Sequence, residues 1–202
     1  MNIFLFLCSG SLVGQNDDGF IKNAGFYTSY QLPKGEKSLI IPQLWFYEDN
    51  VYFEARFNYE EFNAISLYFG RTYSIKKIPE LQITPVTGFV FGSSVFLSPG
   101  INFAYSTDHF SLTSENQLTM DLNGLNDHFL WDWTKASFSI TDNVGIGCGL
   151  QLLYPKSGTP LIDFGPLISI NLLEFNIDLF SYNFWNEEIM WVIGLGYNFE
   201  RK

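Results

Sequence analysis

The chain carries only two histidines, so acid–base chemistry has few places to begin. His109 and Ser111 lie two residues apart in "TDHFSLTSE", with Glu115 four residues further on. In an extended segment such residues share one face. An imidazole there can deprotonate a serine hydroxyl, and a carboxylate can orient the imidazole, which is the chemistry of a nucleophilic hydrolase. The competing reading places His109 in a tight turn at 107–109 and makes Ser111 the start of a polar row. That second reading is adopted, and no catalytic residue is assigned. His128 with Asp127 and Asp132 suggests a metal or acid–base cluster, but two histidines and one cysteine surviving the loss of Cys8 with a targeting segment make a full transition-metal ligand set hard to assemble. An oxygen-only Ca²⁺ site built from Asn126, Asp127, Glu187 or Glu188 is the remaining metal alternative. Acidic loop residues are more commonly just solvated, so neither metal nor cofactor is expected. Gly145, Gly147 and Gly149 form "GIGCG", which as a dinucleotide loop would need a following helix. A strand pattern continues instead, so the glycines thin one wall of a lumen or permit sharp coiling.

The elements that must position these residues are strands. In "FSLTSENQLTMDL", Phe110, Leu112, Leu118, Met120 and Leu122 share one side, with Ser114 and Asn116 interrupting. Ser111, Thr113, Glu115, Gln117, Thr119 and Asp121 share the other. The same period of two runs through 51–60, 143–154 and 187–199. About a dozen such runs follow residue 20, near 24–32, 37–47, 50–60, 63–76, 81–91, 94–107, 109–122, 128–140, 143–154, 160–172, 174–184 and 187–199. Most have the length of a tilted transmembrane strand, about 9–11 residues, rather than the roughly 5–6 of soluble sheets. No amphipathic helix is evident. Two runs alternate poorly. In "HFLWDWTKASFSI", Phe129, Trp131 and Trp133 share a side with Lys135, Ser137 and Ser139, and a bulge near Thr134 is expected to re-aim the strand. In "EFNIDLFSYNFW" the apolar side shifts after Leu179.

Turn lengths supply an independent line. Connections after even-numbered runs are tight, at 48–50, 107–109, 141–143 and 173–174. Several odd-numbered ones are longer: "PKGE", "NGLND" and "PKSGTP". "KKIPE" at 76–80 stands as an exception, long for an inner turn. Short turns at one end and longer loops at the other are the mark of a transmembrane barrel with both termini on one side. The fold expected is therefore all-β, a closed antiparallel up-and-down transmembrane barrel of about 12 strands, with 10 as the alternative count. A soluble secreted β-sandwich or lipocalin-like barrel is the competing fold, and it would stay soluble without detergent.

Composition agrees. Charged residues make up 16% and aromatics 18%, including 21 Phe and 11 Tyr. Disorder needs the reverse balance, and helical spans need long apolar runs that are absent. A net charge of −10 with 11 Lys plus Arg argues against nucleic acid as a partner. Residues 3–14, "IFLFLCSGSLVG", have the length and apolar character of a targeting segment. The expected organisation is a signal peptide at 1–15 and a single barrel domain at 16–202. If Cys8 leaves with that segment, Cys148 is single.

The polar rows define the candidate site. Glu54, Arg56, Glu60, Glu115, Gln117, Asp121, Asp163 and Asp178 are expected to line the lumen. Their acidic excess would favour cations. The alternative is a packed interior in which Arg56 pairs with neighbouring carboxylates.

The last strand ends in "GLGYNF". This stretch resembles the C-terminal recognition signal of bacterial outer-membrane β-barrel proteins, and the resemblance implies that Gly194, Tyr197 and Phe199 are read by the barrel-assembly machinery. "FLWDWTKASFSITDNVGIGCGLQ" and the following "DFGP" are similar to uncharacterised outer-membrane barrels of this size. The His109-x-Ser111 pair resembles that of outer-membrane lipid A deacylases. The sequence is read as a non-enzymatic barrel in the outer membrane of a Gram-negative-type bacterium, in contact with outer-membrane lipid, forming a narrow channel for small polar or cationic solutes. A lipid hydrolase using His109 and Ser111 and a closed structural or adhesion barrel are the alternatives, and the oligomeric state is left open.

Overall fold

The computed structural model describes residues 23–35, 37–124 and 128–200. The expected signal peptide, Cys8, Asn126 and Asp127 lie outside the described residues. Thirteen strand segments follow one another: β1 (Asn23–Pro33), β2 (Leu39–Glu48), β3 (Val51–Phe57), β4 (Ile65–Arg71), β5 (Tyr73–Ile75), β6 (Ile78–Phe91), β7 (Val95–Ser106), β8 (Phe110–Asp121), β9 (Phe129–Ser139), β10 (Val144–Pro155), β11 (Leu161–Leu172), β12 (Phe175–Tyr182) and β13 (Met190–Glu200). β4 and β5 are one stave interrupted at Thr72, and both pair with β6. The barrel thus has twelve staves, each antiparallel to the next in sequence. β1 closes the sheet against β13, from Asn23↔Glu200 to Pro33↔Met190.

Chain chemistry explains the tight end. Asp49 and Asn50 form the two-residue link between β2 and β3 with φ of 51° and 64°. Both belong to the small set of residues that tolerate the left-handed conformation, and a turn of this hand matches the twist of the flanking strands. "KKIPE" is not the long turn that its sequence suggests. Ile75 pairs with Ile78 across Lys76 and Lys77, and the extra residues are absorbed as a register shift within β6.

Side chains alternate between a lipid-facing exterior and a packed interior. Ile40, Leu44, Phe69, Phe89, Ile146, Ile168, Ile193 and Leu195 are among the large apolar residues exposed on the outside. So broad an apolar surface would aggregate in water, whereas hydrocarbon is its natural solvent. Aromatic belts flank the apolar band. Phe184, Trp185 and Trp191 sit toward the long-loop end, while Phe175, Tyr197 and Phe199 sit toward the tight-turn end.

The interior carries its own apolar cluster: Tyr27, Trp45, Tyr52, Tyr68, Trp133, Phe180 and Tyr182 are all buried. The expected bulge near Thr134 is not formed. β9 keeps continuous register with both neighbours, so Trp131 and Trp133 point inward beside Lys135 and Ser137. There Trp133 meets Tyr27, Tyr59 and Phe180. Nor does β12 shift its faces. Asn176, Asp178, Phe180 and Tyr182 all turn inward, and its register with β13 is unbroken.

Glycines make room for these rings. The Gly145, Gly147 and Gly149 wall is thin as expected, but Phe180 and Tyr182 occupy the space over Gly149. Tyr27 lies so close over Gly194 that an added Cβ would sit 1.9 Å from its hydroxyl oxygen. Gly194→Val should therefore destabilise the barrel by about 1–3 kcal/mol through overpacking. Pairing it with Tyr27→Ala should recover most of that loss, as read by a urea-unfolding double-mutant cycle in detergent. Equal losses with and without Tyr27 would refute the packing.

Candidate functional site: a charged layer across the barrel interior

Arg56 is the centre of the interior. It projects inward from β3 with its side chain wholly buried, a position that requires charge partners on every side. Its Nη2 donates to Glu54 Oε2 at 2.8 Å and to Glu115 Oε2 at 3.0 Å. Its Nη1 donates to Gln117 Oε1 at 3.1 Å and lies 3.7 Å from Glu60 Oε1. The guanidinium plane is covered by the rings of Tyr59 and Tyr68, with centroids 4.1 and 4.5 Å away.

Alternation builds half of this layer and closure of the barrel builds the rest. Glu54 and Arg56 are two apart on β3 and share its inner face, as Glu115 and Gln117 do on β8. The two strands are four staves apart around the closed sheet, so their side chains meet through the lumen. Tyr68 ties the layer to β4 and β7, donating to Glu60 Oε1 at 2.7 Å and lying 3.0 Å from Ser98 Oγ. Tyr52 and Ser66 add hydroxyl bonds to Glu54 and Glu60. Tyr59, in the loop after β3, donates to Glu115 Oε2 at 2.9 Å. Burial, reinforced by the Glu115 carboxylate, holds its phenol well above the ordinary range, so it remains a donor.

A second charged pair lies elsewhere in the interior. Lys135 Nζ is 3.4 Å from Asp178 Oδ2, and Ser169 Oγ donates to Asp178 Oδ1 at 2.6 Å. The lysine also sits over Trp133 and Tyr27, 4.9 and 5.3 Å from their ring centroids. Asp163 is held by Asn183 Nδ2 at 2.6 Å, and Asp121 by Ser94 Oγ at 2.7 Å. All eight residues singled out in the sequence as lumen candidates turn inward, in two groups and two outlying carboxylates. Sequence reasoning missed the aromatic partners. Tyr59 and Trp131 alternate as though they belonged outside or to a bulge, yet their rings meet at 4.5 Å beside Arg56.

The other candidates do not assemble. Ser111 Oγ is 2.7 Å from Ser137 Oγ, across the β8–β9 pair. Glu115 is committed to Arg56 and Tyr59. His109 is exposed in the tight turn with its ring against Phe138. The three form no relay. His128 Nδ1 accepts the Asp121 amide at 3.2 Å, while Asp132 faces outward from β9, so that cluster does not form either. Glu187 and Glu188 are exposed in the β12–β13 loop. Among the described residues no group of His, Cys, Asp and Glu is arranged to hold a metal.

No family model and no curated protein matches the sequence. Solved structures do match its fold. A KdgM porin superposes with a TM-score of 0.58 at 14% identity, covering 87% of this chain and 99% of that one. A KdgM porin in complex with disordered oligogalacturonate gives 0.56 at 12% identity, covering 87% and 99%. A NanC porin gives 0.55 at 9% identity, covering 91% and 100%. The chain is thus similar to these porins in architecture, an all-β closed barrel of twelve antiparallel staves.

The charged layer makes a specific demand on stability. Arg56→Met should cost about 3–5 kcal/mol, because it strands buried carboxylates without their cation. Adding Glu115→Gln should restore part of the loss. Unfolding in urea, followed by the heat-modifiable gel shift, measures both; a neutral Arg56→Met would contradict the layer as described.

Proposed function

We propose that this chain is a non-enzymatic barrel of a bacterial outer membrane that works as a narrow channel for small polar or cationic solutes. The observation that carries this reading is the sign of the interior. Glu54, Glu60, Glu115, Asp121, Asp163 and Asp178 face inward against Arg56 and Lys135. A low-dielectric wall lined by excess carboxylate attracts cations and repels anions. Several interior polar atoms are buried without a protein partner, among them Gln43 Nε2, Gln117 Nε2 and both amide atoms of Asn102. Buried amides of this kind are normally satisfied by water. The likeness to porins supports the architecture. One of those porins is described with an oligogalacturonate, a polyanion, and the acidic interior here favours the opposite charge.

A second reading has its own support. Arg56, Glu54, Tyr52 and Tyr68 are almost wholly buried, so the layer fills the section it crosses. In that reading the layer is a fixed plug and the barrel is structural.

The closing strand supports a further role. Gly194, Tyr197 and Phe199 on β13 are read as the segment taken up by the barrel-assembly machinery, with Gly194 turned inward and Tyr197 and Phe199 outward.

Single-channel recording in planar bilayers under a salt gradient tests the channel. Small cation-selective steps are expected, with selectivity reduced in Glu115→Gln/Asp121→Asn and conductance raised several-fold in Arg56→Ala. Silence from a folded wild-type barrel, with steps only after Arg56→Ala, would establish the plug instead. In cells, Phe199→Ala should lower the assembled fraction while leaving detergent refolding unchanged. Equal losses in both would remove the assembly role.

A further inference from the structure

We propose that the β3–β4 connection, residues 58–64, is a movable strap that opens and closes the path past Arg56, with Tyr59 and Glu60 as its latch. The connection leaves β3 at the long-loop end and turns back over the interior. Tyr59 lays its ring on the Arg56 guanidinium and against Trp131, and its hydroxyl donates to Glu115. Glu60 accepts hydrogen bonds from Tyr68 and Ser66 and lies 3.7 Å from Arg56 Nη1. Two adjacent residues outside any strand thus hold side chains of β3, β4, β8 and β9 together across the section.

The strap is built to move as a unit. Asn58 and Asn63 bracket it with φ of 59° and 62°, and such terminal positions are where a hinge absorbs its change of backbone angle. Asn58 pins the base, accepting the Asn63 amide at 2.7 Å and donating to the Ile40 carbonyl at 3.1 Å. Beyond that base, Phe62 at the tip is 67% exposed. Beside the strap lies a cavity of about 180 Å³, lined by Glu60, Glu61, Val90, Ser93, Phe96 and Phe129, which gives the latch somewhere to go.

Lifting the latch does not strand the buried cation. Arg56 keeps Glu54, Glu115 and Gln117, all on strands fixed by the sheet. The closed layer also holds polar atoms that it does not satisfy. Arg56 Nε, Gln117 Nε2, Gln43 Nε2 and both amide atoms of Asn102 are buried without a protein partner. Gln43 pairs with Arg56 in register and Asn102 with Glu115, so these atoms surround the layer. Buried groups of this kind raise the free energy of the arrangement that holds them. Water entering as the strap lifts relieves that cost, which brings the closed arrangement nearer in free energy to an open one.

The inference rests on the channel reading, and single-channel recording separates the two. Wild type is expected to switch between a closed and an open level. Tyr59→Phe loses the bond to Glu115, and Asn58→Ala frees the base. Each should raise the open fraction several-fold, about the factor that one net hydrogen bond carries, and leave the open-level conductance unchanged. A residue that merely narrows the wall would change that conductance instead. The reverse variant locks the strap. Glu61 reaches towards Gly92, its Cδ 3.3 Å from where a Cβ at that position would stand. Glu61→Cys/Gly92→Cys in a Cys8→Ser/Cys148→Ser background should lose the open level on oxidation and regain it with dithiothreitol, the disulfide being verified by mass. Steps seen only in the two release variants would equally support the strap, with the latch holding wild type shut. Unchanged open fractions in both release variants, or an open level that persists with the disulfide formed, would overturn it. Steady conductance without closures in wild type and variants would overturn the strap and leave the channel standing. Silence from wild type and both release variants, each folded by its heat-modifiable shift, would overturn both.

Discussion

The pairing of β1 with β13 is the constraint on which the rest depends. A sheet edge in hydrocarbon leaves a row of amides and carbonyls without partners, each costing several kcal/mol. The run of pairs from Asn23↔Glu200 to Pro33↔Met190 removes both edges at once. Once the sheet is closed, every strand has one face on lipid and one on a confined interior. The period of two then separates the chain into two chemical populations. Ile146 and Ile193 belong to the first, and Glu115 and Asp178 to the second.

Closure at twelve staves also fixes how wide the interior is, between small filled barrels and the wide porins. Here that width is occupied by rings lying on glycines and by a charged layer. Tyr27 over Gly194 and Tyr68 over Gly88 show how it is done: one residue gives up its side chain so that a ring from the neighbouring stave can lie against the backbone. The rings in turn lower the local polarity around Arg56 and strengthen its bonds to Glu54 and Glu115. Packing and electrostatics are therefore one arrangement, and any solute path must pass this layer.

The outward wall obeys a different rule. Its solvent supplies no hydrogen bonds, so polar residues there must be satisfied by protein. Ser114, Asn116, Asp132 and Thr134 on β8 and β9 form a polar patch in that wall whose hydrogen bonds are made within the chain, and the interruption at Ser114 and Asn116 is visible in the sequence itself. Its meaning depends on Asp132 and Thr134, which join the same patch only because β9 is unbulged.

The sequence by itself indicated the strand pattern, a count of about twelve staves with ten as the alternative, most of the alternation of short and long connections and the inward face of the lumen candidates. These are local properties, carried by period-two alternation and by turn residues such as Asp49-Asn50. Tertiary structure decided the rest. Where both faces of a strand carry aromatics, alternation defines two sides without saying which is inside. For that reason Trp131 and Trp133 invited a bulge that β9 does not have, and β12 appeared to switch faces. The length of the turn at Lys76-Lys77 was likewise hidden, because a register shift inside β6 absorbs residues that look like loop. The meeting of Arg56 with Glu115 and Gln117, about 60 residues away in the chain, is set by neither strand alone. It arises because curling the sheet into a closed barrel brings staves four apart within the reach of a side chain.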